Sequence, residues 1–413
     1  MRNIKLSVEK NQAELLVLLY LFLQPWGNTF LIPLAIMSVL GSLMVMKWKR
    51  LNAEDQTVIK KILFLAACLW LPIVISLPDA IAFKRTLSTT LTYPLYVLSG
   101  LYLAVSFTRN FNRELFLKFM LPMILIWGIA SFIQMMFFDD GSGRIQGIFK
   151  EKLTLGIILG SLTPLIILLL GKTNRKPTYL LTFMLLAIFI SGTRSAWLTG
   201  TIFFVIYYFL FLKDSSLRFK LSLLTFYCLA LILIINNSSI GQRISQTSQA
   251  LSADQKNINE ATGGRLELWK DAFNLGLKHP ITGVGANNFR YGQIEVVADK
   301  DSLWTREIPE DGFTIIGFAH THQIILEAWS NTGLVGLIGI IIFYLAILKQ
   351  TFLSWHEKDL LALAGLLALL AAIFPLGSHN NLYGSWMTGW IWVLTGISFG
   401  LAASSKNRSL YRT

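Results

Sequence analysis

The sequence predicts an all-α integral membrane protein with about twelve transmembrane helices and one long polar segment containing an amphipathic helix. Three observations lead there. Hydrophobic residues make up 54% of the 413-residue chain and charged residues only 14%, with a mean hydropathy of +0.57, too apolar for a soluble domain. Apolar runs long enough to cross a bilayer follow one another closely. Between two of them, residues 236–319 are polar.

In chain order the expected spans are 11–26, 28–46, 62–78, 87–107, 115–136, 153–171, 178–193, 195–212, 221–235, 323–348, 360–377 and 385–402. The chain therefore divides into nine spans over 1–235, an outer loop region over 236–319, and three spans with a tail over 320–413. Short loops such as 171–177 predict antiparallel helix neighbours. The first apolar run leads directly into a second and lacks a small-residue cleavage site, so it reads as a membrane helix. Cys68 and Cys228 fall inside spans and read as small buried apolar residues, with neither a disulfide framework nor metal-ligand spacing.

The net charge of +13 speaks for topology and against nucleic acid. With the N-terminus inside, inner segments carry 22 of the 36 basic residues, whereas the short outer loops hold only Lys84, Arg85, Arg144, Lys150, Lys152 and Arg194. Both termini are then cytoplasmic, and 236–319 faces outward.

The outer segment opens on a polar stretch, 236–259. From Arg265 to Lys278, Leu266, Trp269, Ala272, Phe273 and Leu277 recur at helical spacing and predict an amphipathic helix whose apolar stripe rests on the bundle or in the membrane interface. Thr262, Gly263 and Gly264 offer its start and Pro280 follows its end. A glycine-bearing turn follows at Gly283-Val284-Gly285, and 290–318 is expected to be a mostly irregular covering loop.

Arg265 falls in the first turn of the amphipathic helix, where unpaired N–H groups and the helix dipole already favour an anion. A cation added there points to a phosphate site. Arg194, in a short outer turn after Ser191-Gly192-Thr193, must snorkel, pair or line a polar cavity. Arg144 and the Lys84-Arg85 pair occupy comparable outer positions, where topology anchoring is the competing explanation. His320 and His322 are two residues apart, which on a helix turns them about 200° from each other and is expected to make them diverge on an extended entry as well. With no Cys and no HExxH pair nearby, no metal is expected. One histidine instead suits a general base, and His320 is left as a bystander. His279, His356 and His379 have no supporting constellation. Asp299-Lys300-Asp301 has an acidic metal-holding spacing but reads better as a solvated loop, and no nucleotide-binding glycine motif is present.

Four motifs together resemble the bacterial O-antigen ligase and O-antigen polymerase proteins of lipopolysaccharide assembly. They are Arg144-Ile145-Gln146-Gly147-Ile148-Phe149; Ser191-Gly192-Thr193-Arg194; Gly264-Arg265-Leu266 through Trp269 to Pro280 and Gly283-Val284-Gly285; and His320-Thr321-His322-Gln323 through Glu327, Gly333 and Gly336. The resemblance implies a cofactor-free, metal-independent inverting transferase of the Gram-negative inner membrane, with its site facing the periplasm. Its donor would be a glycan on undecaprenyl diphosphate and its acceptor lipid A-core oligosaccharide, or another lipid-linked glycan in a polymerase. By matching position, Arg194 and Arg265 look like the diphosphate-binding residues and His322 like the catalytic base. Gln323 stands where the family usually has Asn. Further donor or acceptor contacts are expected from Arg144, Lys84, Arg85, His320, Gln323 and Trp269, and sugar stacking from Trp269, Phe289, Tyr291 and Trp304. A lipid-linked sugar flippase is the reading from another class, but it would place its charges deep in the bundle.

Overall fold

The computed structural model describes residues 11–138, 140–171, 176–213, 215–236, 241, 245, 265–297, 305–308, 313–316, 319–375 and 381–410. Of the expected features, 237–240, Thr262, Gly263, Gly264, Asp299, Lys300, Asp301, Trp304 and His379 lie outside the described residues, as does most of 241–259. Among the described residues, nine α-helices precede the outer segment: α1 (Gln12–Phe22), α2 (Leu31–Met46), α3 (Ala53–Ile75), α4 (Phe83–Arg109), α5 (Arg113–Phe137), α6 (Thr154–Leu170), α7 (Lys176–Ile190), α8 (Arg194–Tyr207) and α9 (Leu217–Ile235). The outer segment contributes α10 (Arg265–Lys278) and the single-turn α11 (Phe289–Gly292), and α12 (Ile324–His356), α13 (Leu360–Ala372) and α14 (Ser385–Leu410) complete the chain.

Among the described residues, seven helical segments are long and apolar enough to cross a membrane: Gln24–Met46, Ala53–Ile75, Phe83–Arg109, Arg113–Phe137, Arg194–Leu212, Ile324–His356 and Ser385–Ser404. Gln12–Phe22, Thr154–Leu170, Lys176–Ile190 and Leu360–Ala372 are shorter apolar helices. Helix starts follow local chemistry. Asn52, Asn112 and Asp359 each accept, through a side-chain oxygen, the N–H of the residue three positions on, at 2.7, 3.0 and 3.0 Å.

Close packing in an apolar solvent requires small residues where helices cross. A Cβ at Gly396 would collide with the Gly100 carbonyl, and one at Gly41 with the Leu98 carbonyl, so α14 and α2 both seat on α4 through glycine. The resulting core is almost fully sealed around Trp127, Trp390 and Trp392. Facing outward, Leu91, Phe119, Ile126, Met136 and Leu345 are among the many exposed apolar side chains, as expected of helices whose solvent is lipid. Cys68 is half-buried, but Cys228 is exposed on α9, which overturns its reading as a buried residue; an apolar side chain has no reason to hide from a hydrocarbon solvent.

Two expectations for the outer segment change. The described residues of 290–318 hold regular structure that the sequence reading did not anticipate: α11 and a 3₁₀ turn (Gln293–Glu295) precede an antiparallel pair of β1 (Thr305–Ile308) and β2 (Phe313–Ile316), with Thr305 opposite Ile316 and Ile308 opposite Phe313. The face that α10 buries also differs from the expected stripe. Leu268, Asp271, Ala272, Leu275 and Gly276 are buried, whereas Phe273 and Leu277 stand exposed. Leu268, Ala272 and Leu275 pack with Val284 and Phe289, which come from the same outer segment and supply an apolar partner that helical periodicity alone does not register.

Candidate functional site

α12 is broken one third of the way along. Gly333 has φ +61°, and the backbone groups freed by the break are taken up by the outer segment. Leu334 donates its N–H to the Pro280 carbonyl at 2.8 Å and Val335 to Ile281 at 3.4 Å, while Val284 and Gly285 donate to the Ser330 and Asn331 carbonyls at 3.2 and 2.9 Å. Glycine is needed for that approach: a Cβ on Gly283 would lie 2.5 Å from the Asn331 oxygen and the Thr332 nitrogen. The Asn331 side chain then accepts the N–H groups of Asn288 and Phe289 at 2.8 and 2.9 Å, capping α11. The Gly283-Val284-Gly285 motif thus fastens the outer segment to the bundle.

The same broken helix carries the histidine turn at its head. Buried Glu327, in its first turn, accepts the Thr321 N–H and hydroxyl on one oxygen, Oε2, at 2.7 and 2.8 Å. Gln323 caps the helix by accepting the Leu326 N–H, and its Nε2 donates to the Pro375 carbonyl at 3.0 Å. His322 between them takes φ +56°, a left-handed conformation that side chains rarely adopt. That turn brings the rings of His320 and His322 to 4.1 Å between centroids at 56°, so the expected divergence is wrong: it assumed regular backbone, and His322 is not regular.

Trp269 joins this turn to α10, its Nε1 donating to the Thr321 carbonyl at 3.2 Å. Arg265 lies one turn earlier on the same side of α10. It is close to two other arginines. Gly192, at φ +64°, packs so tightly on Gly143 that a Cβ would collide with the Gly143 carbonyl and stand 3.4 Å from the Arg144 Cα, which sets Arg144 beside the turn that delivers Arg194 to the head of α8. Burial, followed by the positive charges of Arg144 and Arg194, pushes the Arg265 guanidinium down to about 10. Burial also lowers Arg144. No acidic side chain bridges Arg144 or Arg265 among the described residues, and the buried Nε of Arg144 has no hydrogen-bond partner among them. Arg144 and Arg265, unbridged by carboxylates among the described residues, crowd together with Arg194, a gathering of guanidinium groups whose chemistry suits a multiply charged anion.

Other expected contacts fall elsewhere. Lys84 is exposed, and Arg85 is half-buried with its guanidinium 6.0 Å from the Tyr291 ring centroid. Phe289 and Tyr291 are 1% and 5% exposed, so as core residues they offer no face for sugar stacking. Both amide groups of Gln323 are engaged in capping and bracing. His279 lies in a partly exposed ion-pair group, where Glu295 accepts from both His279 Nε2 at 3.1 Å and Lys278 Nζ at 2.6 Å. The structural roles of Glu327 and Asn331 were not anticipated, although polar residues inside an apolar helix were the available signal. Arg290, which faces Glu327, had none.

Fold and geometry together define a multi-pass membrane protein with an arginine cluster braced against a histidine turn. Residues 179–341 match the family model described as O-antigen ligase, a span that includes Arg194, Arg265, His320, His322 and Glu327 but not Arg144. The chain is 26% identical over 262 residues to the O-antigen ligase of Escherichia coli, covering 61% of this chain and 58% of that protein. It is 23% identical over 206 residues to an uncharacterized protein of Haemophilus influenzae, covering 47% and 48%. The chain thus spans about half the length of the curated relatives it matches. These matches support the O-antigen ligase family for this chain.

Proposed function

We propose that the protein is an O-antigen ligase, an inverting and metal-independent transferase that moves glycan from undecaprenyl diphosphate to lipid A-core oligosaccharide at the periplasmic face of the Gram-negative inner membrane. The observation that carries this reading is the bridge from Trp269 to Thr321, which ties the helix of the anion-binding Arg265 to the turn that bears His322. Arg144, Arg194 and Arg265 hold the donor diphosphate, and charge-assisted bonds from their guanidinium groups strengthen as the leaving group gains charge. His322 takes the proton of the acceptor hydroxyl. That oxygen attacks the anomeric carbon from the face opposite the phosphate, the sugar–phosphate bond breaks, and its electron pair leaves with the diphosphate. The relative from Escherichia coli is named an O-antigen ligase, which favours lipid A-core as acceptor over a second lipid-linked glycan.

Purified protein given undecaprenyl-diphosphate glycan and lipid A-core in EDTA is expected to form ligated lipopolysaccharide, and His322→Ala is expected to abolish it. Retained activity in that variant would remove His322 as the base. A strict need for a divalent ion would overturn the metal-independent reading and turn attention to Asp299 and Asp301. Lengthened glycan on the lipid carrier, in place of ligated core, would make the protein a polymerase.

A further inference from the structure

The exposed side of α10 carries a second apolar surface, opposite in purpose to the buried one. At about 100° per residue, Leu266, Phe273 and Leu277 share one narrow sector, and Phe273 and Leu277 are 51% and 56% exposed. Just past the helix end, Ile281 is 67% exposed. Lys270, Glu267 and Lys278, all exposed, occupy the adjoining sector. The helix therefore has three sides: one on the protein, one apolar and open, one charged and open.

The open apolar side does not stand alone. Trp329 of α12 donates to the Phe273 carbonyl at 3.0 Å, and Leu334 and Val335 bond the carbonyls of Pro280 and Ile281. Phe273, Leu277 and Ile281 thus adjoin the head of the second half of α12. Its exposed residues Leu334, Ile338, Ile341 and Leu345 run on down a helix long and apolar enough to span the membrane. Since that face of α12 meets lipid, a surface continuous with it at the same level meets lipid too.

We propose that α10 lies in the outer membrane interface with Phe273, Leu277 and Ile281 immersed in the outer leaflet, its partner being the lipid surface itself. The apolar sector sinks among acyl chains, while Lys270 reaches the headgroups beside it. Arg265, on the first turn of a helix held at that depth, stays at headgroup level, where the charged group of any membrane-borne substrate resides. The immersion stands independently of the reaction proposed above, because it rests on exposure and continuity alone.

The test is spin-label accessibility in the full chain, reconstituted in phosphatidylethanolamine and phosphatidylglycerol nanodiscs after Cys68→Ala and Cys228→Ala. Single cysteines replace Phe273, Leu277, Ile281, Glu267 and Asn274, and collisions with oxygen and with nickel-EDDA are measured. The expected oxygen-to-nickel ratio is several-fold higher at 273, 277 and 281 than at 267 and 274. High nickel accessibility at 277 and 281 would put the sector in water and overturn the proposal. Protection from both reagents would show it covered by protein, a second copy included, and would overturn it equally. Because no activity enters the measurement, failure here and failure of the transferase reading remain distinct.

Discussion

Gly192 packs on the backbone of Gly143, and this contact brings Arg194 and Arg144 to one place. Residues nearly fifty positions apart in the chain thereby crowd two cations that, without an anion, repel each other. Gly192→Ala meets two obstacles, a left-handed φ of +64° and a collision with the Gly143 carbonyl. Gly141→Ala is the matched control, because its φ is +73° with nothing within 4 Å. The left-handed conformation alone costs about 1–2 kcal/mol, so Gly141→Ala should lower the melting temperature modestly. Gly192→Ala should lower it further and also weaken inorganic pyrophosphate binding, measured by calorimetry. Equal effects at both positions would refute the role of the contact.

Removing one cation should stabilise the empty protein and harm the loaded one. Arg144→Gln relieves repulsion on Arg265, so the melting temperature without ligand should rise. A hydrogen bond to a charged group contributes about 1.5–3 kcal/mol, and so pyrophosphate affinity should fall by roughly tenfold or more. A variant with unchanged affinity would leave Arg144 outside the anion site.

Arginine titration should leave the neutral range untouched. Burial and the neighbouring positive charges push the Arg265 guanidinium down to about 10, below the ordinary arginine range. Below about 10 it is charged, and its charge weighs against the fold; that penalty is relieved as pH rises through 10 toward the unfolded value, where the unfolded chain holds the proton more tightly. Between pH 6 and 8, then, diphosphate binding should be flat. The rate of transfer should instead fall as the medium turns acidic, because a base must be neutral to accept a proton. A kcat/KM profile flat from about pH 5.5 to 8 would dismiss histidine as the base.

Glu327 should prove to be a positioning residue and not a reacting one. Both Thr321 bonds end on its Oε2, so Glu327→Gln, which keeps an oxygen there, should retain most of kcat and of the melting temperature. Glu327→Ala leaves the buried Thr321 N–H without its acceptor at about 1–3 kcal/mol and the Thr321 hydroxyl with the Gln323 carbonyl alone, and the left-handed turn at His322 loses its brace. The expected outcome is a large drop in kcat with little change in the donor KM. Failure of Glu327→Gln to rescue would show that the charge itself takes part.

Much of the fold is legible in hydropathy because each membrane helix satisfies its own backbone and needs only an apolar run. That is why every expected span contains helix, even though, among the described residues, seven segments meet the length and composition needed to cross a membrane. The buried face of α10 was harder to read. Leu268 and Leu275 point at Val284 and Phe289, so the side that is buried depends on where the following turn folds back. The pairing of the histidine rings was unreadable for a similar reason: φ +56° at His322 is imposed by Glu327, Thr321 and Gln323 acting together.

By itself, then, the amino-acid sequence determined which stretches are apolar helices, the single polar interruption, and the residue types available to the candidate site. Hydrophobicity and charge are local properties, and a bilayer acts on them one segment at a time. The tertiary structure decided which arginines meet, how the histidine turn is held, and which side of α10 stays exposed. Each of these depends on a contact between segments far apart in the chain, such as Gly192 on Gly143, Trp269 on Thr321 and the 280–285 turn on the break at Gly333, and no local pattern encodes a contact whose partner lies elsewhere.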